Sequence, residues 1–585
     1  MTAVAERELR EKQIQQAEEL LFSGVQRAGF AKDLYFGRFR NDAIFPYPHF
    51  SDEERRLGDE AVEAVKRFCR ESIDADRIDR DEDIPPSVIR GLGDLGVLGM
   101  CVSPKYGGRG FSQQNYCRVL EVIGSHCAST AVFVNAHHSI GLRALELFGT
   151  PEQKSRWMQP LASGETLAAF ALTEPEAGSD AGNVQTRATP TADGRGYTLN
   201  GRKHYITNAA IAGVLTVMAR TPDPKDPDGK VTAFLVTPDM PGFTMVTPRM
   251  EKCGIRGTAT GRFDLKDVFV PKENVLGAVG KGLRLALTVL DFGRTTFGAT
   301  CTGSAKYCLA RLAERANARR QFGKSLGEFE LVKQKIALAA ADTFAMESMT
   351  YYTAALIDSG AEDYMLETAM LKVFASDNLW RIVNDTLQVW GGAGFFTDQP
   401  FERMMRDSRL NLIGEGANDV LRCFIAMVGL RNLGKEMESI LKRPWKAFSL
   451  LRFAPHIPSK HGLLHPAAGR LSKQIAAFGR ACIRALVKYR EGILDRQYVQ
   501  ARLGDVASEL LAASCVYARL SSIFDDPRID ETLRQQQVTT GLYYLKLADS
   551  RNRQRLRELT ENDDADCNRT ADAWLQHPPL PIVPV

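Results

Sequence analysis

The sequence holds no apolar run of the ~18 residues that a membrane-crossing helix needs, no C-x-x-C pair, no internal repeat and no basic stripe interleaved with aromatics. Each absence removes a class of function. Without a long apolar run, no span is expected. The 11 cysteines lie scattered from Cys69 to Cys567, which argues against a disulfide framework or a zinc site and for thiols kept in a reducing compartment. A formal charge of +4 over 585 residues gives no general attraction to nucleic acid, so none is expected as a partner. The first residues, "MTAVAERELREKQIQQAEELLF", lack the basic start and apolar core of a signal peptide, and their acids argue against a mitochondrial transit segment. The expected location is cytoplasmic.

What is present is an ordinary globular composition, 44% hydrophobic and 25% charged, on a chain long enough for several cores. After an N-terminal segment, 1–50, apolar residues recur at helical spacing over 51–166, broken at "DIPPS" and "SPKYGGRGF". The texture changes over 167–281. There "GYTLNGRKHYITN" sets an Asn200-Gly201 turn between alternating runs, and "VLTVMAR", "VTAFLVT" and "GRFDLKDVFV" read as further strands. Helical patterning returns over 282–434 and continues, more basic, over 435–585, where "HPPLPIVPV" reads as an extended tail.

The stretch "NLIGEGANDVLRCF" places a lone carboxylate, Glu415, between Gly414 and Gly416, ahead of a run with helical spacing. Alone it reads as a solvated turn at a helix start. Together with "FALTEPEAGSD", "HYITN", "ARRQFG" and "QVWGGAG", in that order and spacing over about Phe45 to Gly434, it resembles the acyl-CoA dehydrogenase family. "FPYP", "AHHSIG", "GIRGTATG", "MESMTYY" and the long C-terminal extension look most like the very-long-chain subgroup, including its relative that serves as a respiratory-complex assembly factor. The resemblance implies a mainly α fold: an N-terminal helical domain, a β-barrel-like middle domain, a C-terminal helical bundle and a helical extension. It also implies FAD as cofactor, fatty acyl-CoA as substrate, an electron-transferring flavoprotein as electron acceptor, and a homodimer.

By the same resemblance Glu415 is the base that removes the α-proton of the thioester while the β-hydrogen leaves as hydride to flavin N5. The family's flavin contacts fall on Phe170, Leu172, Thr173, Gly178 and Ser179, and on Tyr205, Ile206 and Thr207. Arg319, Gln321 and Phe322 match its adenosine diphosphate site, where a guanidinium suits pyrophosphate. Gln388, Gly391, Gly392 and Gly394 match the stretch that reaches flavin across a subunit boundary, and Ala417 and Asp419 also fall on cofactor-contacting positions. Acyl-CoA contacts fall on Ser179, Asp291, Arg294 and Gly416. Without that context Asp291 and Arg294 are an i,i+3 surface ion pair. His137 and His138, with no metal-ligand partners nearby in sequence, read as packing residues.

The chain departs from the family pattern at Gly414, where an aromatic is common, at Ala417, where Thr is common, at Glu330, and at Asn135, where very-long-chain members tend to have a small residue. The missing ring opens the flavin side to oxygen or to a bulkier acyl group. Three readings therefore stand: a dehydrogenase for long acyl chains, an oxidase on the same fold, and a flavoprotein scaffold with a vestigial site. Finally, 441–490 carries 11 Lys or Arg and no acid. Its part "LKRPWKAFSLLRF" mixes Trp445, Phe448 and Phe453 with four cations, as suits peripheral attachment to an anionic membrane surface on its inner face. The helical part beyond it has a bland reading as well, a core-docked helix with a solvated basic side.

Overall fold

The computed structural model describes residues 29–442 and 454–577. Its helices begin where local chemistry starts them. Ser51 and Glu54 form a reciprocal capping box at the head of the helix Asp52–Ser72, and Thr150 and Gln153 form another at Pro151–Ser163, with Pro at its first position. Between them lie Pro86–Asp94, Gln113–His126 and Ala128–Val134. The last of these runs on as a π-helical stretch, Asn135–Leu142, before Arg143–Phe148. Such wide turns are rare and mark functional sites more often than packing.

The middle of the chain is a curled sheet. Its strands are β1 (Ala168–Ala171), β2 (Arg187–Pro190), β3 (Gly196–Ile206), β4 (Val214–Asp223), β5 (Asp226–Val236), β6 (Phe243–Thr247), β7 (Gly261–Pro271) and β8 (Val275–Leu276). They run in the order β6-β7-β3-β2-β4-β5-β8, with β1 parallel to β4. The register of β3 on β7 slips between Lys203 and Ile206, and there Tyr205 takes a left-handed φ of 58°. A bulge of this kind re-aims a side chain, and it presents the Tyr205 ring outward.

Four helices then carry the catalytic region: Gly282–Ala318, Glu330–Asp358, Met365–Trp390 and Asn418–Lys442, with the short Phe401–Leu410 before the last. The extension adds His465–Tyr489, Gln497–Asp525, Glu531–Arg557 and Asp564–Gln576. It is no loose appendage. Phe344, Met370 and Ile425 share one apolar core with Phe478, Leu510, Tyr517 and Tyr544. The buried carboxylate of Asp342 receives Arg551 from the extension at 2.8 and 2.9 Å and Arg381 at 2.6 Å. The helix Phe30–Tyr35 closes the seam: the Tyr35 hydroxyl donates to the Ile425 carbonyl at 2.9 Å, and its ring packs edge-on against Phe478 at 5.0 Å.

In the helix His465–Tyr489, Leu471, Ile475, Phe478 and Cys482 are buried while Lys473, Arg480, Arg484 and Lys488 are exposed. That is a core-docked helix with a solvated basic side. Of the proposed membrane segment, 443–453 lie outside the described residues, as does the tail from 578. Among the described residues no helix is long and apolar enough to cross a membrane, and no group of His, Cys, Asp or Glu could hold a metal ion.

Candidate active site

Glu415 sits in a closed turn. The Leu410 carbonyl accepts from Ile413 and Gly414 at 2.8 and 2.9 Å, and Asn418 N–H donates to the Leu412 carbonyl at 3.0 Å. Within it Glu415 holds a left-handed φ of 60° and Gly416 one of 99°. The second suits glycine; the first is strain stored on a glutamate. Lys372, fully buried on Met365–Trp390, holds the turn from below by donating to the Gly416 carbonyl and to Asn418 Oδ1, both at 2.7 Å.

The carboxylate itself is sparsely served. Asn135 Nδ2 donates to Glu415 Oε1 at 3.2 Å, while Oε2 is buried with no partner. Arg294 reaches the Glu415 backbone carbonyl at 3.4 Å, with its Nη1 committed to Asp291 Oδ1 at 3.0 Å. Burial pushes the Glu415 carboxyl up to about 7, against the opposing pull of Arg294 and Lys372 and the Asn135 hydrogen bond. Burial likewise lifts Asp291 to about 6 and brings Lys372 down to about 8. The Gly293 backbone lies opposite, and a Cβ on it would stand 2.5 Å from Glu415 Oε2 and displace the carboxylate. The pair Asp291–Arg294 is therefore an ion pair as its spacing allows, but a buried one, with Thr368 donating to Asp291 at 2.8 Å.

A second group of expected residues gathers on the sheet. His204 N–H donates to the Thr173 carbonyl at 3.0 Å, tying the loop after β1, with Leu172 and Thr173, to the end of β3, with Tyr205, Ile206 and Thr207. Phe170, Leu172, Thr173 and Thr207 are half-buried, Ile206 is buried, and Gly178 and Ser179 are exposed. Beneath them Lys203 is fully buried and donates to the Leu172 carbonyl at 3.1 Å and to Glu174 Oε1 at 2.6 Å. The sheet meets the Glu415 turn from two sides. Asn208 donates to the Phe133 carbonyl at 3.1 Å, two residues before Asn135, and Ile255 N–H donates to Asp407, just ahead of the turn.

A third group stands apart from Glu415. Arg319, Gln321 and Phe322 follow the end of Gly282–Ala318; Gln388, Gly391, Gly392 and Gly394 lie at the end of Met365–Trp390. The two ends meet, since Trp390 Nε1–H donates to the Arg311 carbonyl at 3.3 Å and both Arg311 and Arg315 lie 4.9 Å over its ring. Except for the buried Gly394, these expected residues are exposed, Phe322 at 90%. Asp419 is also exposed, and Ala417 is half-buried.

Sequence reasoning did not find Lys372, Asn418 or the Lys203–Glu174 pair as site residues. No local motif marks a lysine whose partners are 44 and 46 residues away. His137 and His138 are packing residues in the structure too: both are buried, His137 accepts from Ala168 N–H at 3.0 Å, and His138 accepts from Cys101 N–H at 3.0 Å.

Comparison with known proteins gives the chain's family. Residues 53–165, 169–268 and 280–430 match the N-terminal, middle and C-terminal domains of acyl-CoA dehydrogenases, and 463–574 match the C-terminal domain shared by ACAD9 and ACADV. The chain is 36% identical over 520 residues to the human mitochondrial very long-chain specific acyl-CoA dehydrogenase, covering 85% of this chain and 79% of that protein. It is 37% identical over 421 residues to the probable acyl-CoA dehydrogenase FadE10 of Mycobacterium tuberculosis, covering 70% and 64%. An acyl-CoA dehydrogenase of Bacillus anthracis, solved with FAD, superposes with a TM-score of 0.79 at 28% identity over 95% of this chain and 96% of that one. The prolyl acyl carrier protein oxidase AnaB superposes at 0.61 with 27% identity, over 65% and 99%. The chain thus belongs to the acyl-CoA dehydrogenase family, and it carries the extension of the very-long-chain subgroup.

Proposed function

We propose that the protein is an FAD-dependent dehydrogenase that converts long-chain fatty acyl-CoA to the trans-2-enoyl thioester, with Glu415 as the base. The observation that carries the reading is the free, buried Oε2 of a carboxylate whose affinity for a proton lies near neutrality. Such a group takes a proton and gives it up without a large cost in either direction. Glu415 Oε2 accepts the α-proton. The Glu415 N–H, which has no backbone partner among the described residues, is available to hold the thioester carbonyl as charge builds on it. Arg294, pinned to Asp291, keeps the turn in place.

FAD, when bound, supplies the acceptor for the hydride that leaves the β-carbon. The residues present fit it. Tyr205 presents an outward ring, the half-buried Thr173 and Thr207 stand on the two loops that meet beside it, and a Cβ on Gly178, Gly391 or Gly392 would meet nothing within 4 Å. Arg319 offers an exposed guanidinium for pyrophosphate. From Arg294 the helix runs ~36 Å to Ala318, so Arg319 and Gln388–Gly394 serve the Glu415 of a second copy, not their own. The apolar patch beside them, Phe322, Leu331 at 75% and Phe395 at 76% exposure, supports a homodimer. We assign an electron-transferring flavoprotein as the acceptor and 441–490 as a peripheral contact with anionic membrane.

Gly414 favours a second reading, an oxidase. The atoms nearest to a Cβ there belong to Leu410, at 3.5 Å and beyond, so the position has room for the ring that it lacks. Anaerobic mixing with palmitoyl-CoA followed by air separates the readings. A dehydrogenase bleaches and stays bleached, an oxidase recovers with peroxide, and a scaffold never bleaches.

A further inference from the structure

We infer that Asn135 is a positioning residue for the reaction: it holds one oxygen of the Glu415 carboxylate and leaves the other free for the proton. The inference rests on Glu415 being the base. Among the described residues Asn135 Nδ2 is the one side-chain donor to that carboxylate, at 3.2 Å. The two nearest cations do not compete for it, because Lys372 donates to the Gly416 carbonyl and Asn418, and Arg294 to Asp291 and the Glu415 carbonyl.

The amide is itself oriented. Thr296 Oγ1 is hydrogen-bonded to Asn135 Oδ1 and lies 3.1 Å from Ser139 Oγ, which lies 3.3 Å from the Tyr116 hydroxyl. Thr296 Oγ1 also lies 3.1 and 3.0 Å from the carbonyls of Phe292 and Gly293, but a carbonyl oxygen cannot donate to Asn135. Since Oδ1 only accepts, the Thr296 proton belongs on it; Ser139 then donates to Thr296, and Tyr116 to Ser139. The ionised Glu415 carboxylate only accepts, so the NH₂ end of Asn135 faces it and Oδ1 faces the Thr296 hydroxyl, which this buried chain holds in place. Every member is buried: Tyr116 and Thr296 at 0%, Ser139 at 1% and Asn135 at 3% exposure. Asn135 opens the π-helical stretch that also carries Ser139, and Thr296 touches both. An amide stabilises the ionised carboxylate without adding a charge that would hold the proton off permanently. It also breaks the symmetry of the two oxygens, which leaves Oε2 as the basic one.

The other ionisable groups around Glu415 are accounted for. Arg294 and Asp291 face it from Gly282–Ala318, Lys372 from Met365–Trp390, with Asp377 one turn on and paired to Arg422. From the N-terminal domain come His137 and His138, which burial holds uncharged, and Arg143, which is paired to Glu146.

The test is the pH dependence of anaerobic flavin bleaching by palmitoyl-CoA in the holoenzyme. Asn135→Leu keeps the shape and removes the donor. Its inflection should rise by about one unit, leaving the rate ~10-fold low at pH values below the inflection and near wild type above it. Thr296→Val, which only loosens the amide, should move the inflection the same way by less. Thr300→Val, one turn on, should not move it. A wild-type inflection in both Asn135→Leu and Thr296→Val, with Glu415→Gln inactive, overturns the role of Asn135 alone. Wild-type bleaching by Glu415→Gln overturns the assignment of the base beneath it.

Discussion

Two half-buried glutamates of this protein, Glu415 and Glu347, behave in opposite ways. Glu347 lies where the catalytic helices meet the extension. Its Oε2 receives Arg519 at 2.6 Å and its Oε1 receives Lys306, which also holds Glu121 at 2.5 Å. Burial raises its carboxyl, but Arg519 and Lys306 outweigh burial and hold it below the usual range. Glu415 is half-buried too, yet its neighbouring cations are spent on backbone, on Asn418 and on Asp291, and one oxygen has no partner. Burial therefore wins, and the carboxyl rises to about 7. The lesson is that burial alone does not raise a carboxyl; burial with partners withheld does.

Substitution at each site should separate the two roles. Glu415→Gln is expected to keep fold and FAD but lose ~10²–10⁴-fold in substrate-driven bleaching, measured by stopped flow. Glu347→Gln should leave that rate within a few-fold of wild type. The cost should instead appear as destabilisation of about 1–2 kcal/mol, because Lys306 and Arg519 lose a charged partner at a half-buried, partly screened site. The midpoint of chemical unfolding reads it. A large loss of bleaching in a folded, flavin-loaded Glu347→Gln protein would erase the contrast.

The contrast has a consequence for stability against pH. The folded carboxyl of Glu415, at about 7, lies above the ordinary carboxylate value near 4.5, so the folded state binds more protons than the unfolded one between those pH values. Stability contributed by this group is thus lost as pH rises through that window. Glu415→Gln should be more stable than wild type above pH 7, by about 1–3 kcal/mol, and the difference should vanish near pH 4.5. Equal unfolding midpoints at pH 8 would show that the Glu415 carboxyl is not raised in the folded state. The smallest effect expected is at the open side of the turn. Gly414→Tyr should slow reoxidation of reduced flavin by air a few-fold, by excluding water and oxygen; an unchanged rate would mean that Gly414 does not control access.

Much of this was legible before any coordinates. The alternation of helical and strand patterning follows from side-chain periodicity within single elements, and the contiguous motifs single out Glu415, the loops of Thr173 and Tyr205, and the Arg319 and Gln388 ends as candidates. What was hidden lies between elements. Asn135 stands 280 residues from Glu415, and Ala31, whose N–H donates to the Glu367 carboxylate at 2.9 Å, stands 336 from it. Spacing says which residues share a face and not which faces meet. Asp291 and Arg294 show this well: i,i+3 spacing gave the pair, but only packing buries it.

The most direct test of the central claim is the rate of anaerobic flavin bleaching by palmitoyl-CoA in the wild-type protein, followed from pH 5.5 to 9. A base with a raised carboxyl pKa predicts a rate that climbs about tenfold per unit below an inflection near 7 and levels above it. A rate that is flat across this range, or that levels already near the ordinary carboxylate value, would contradict the account.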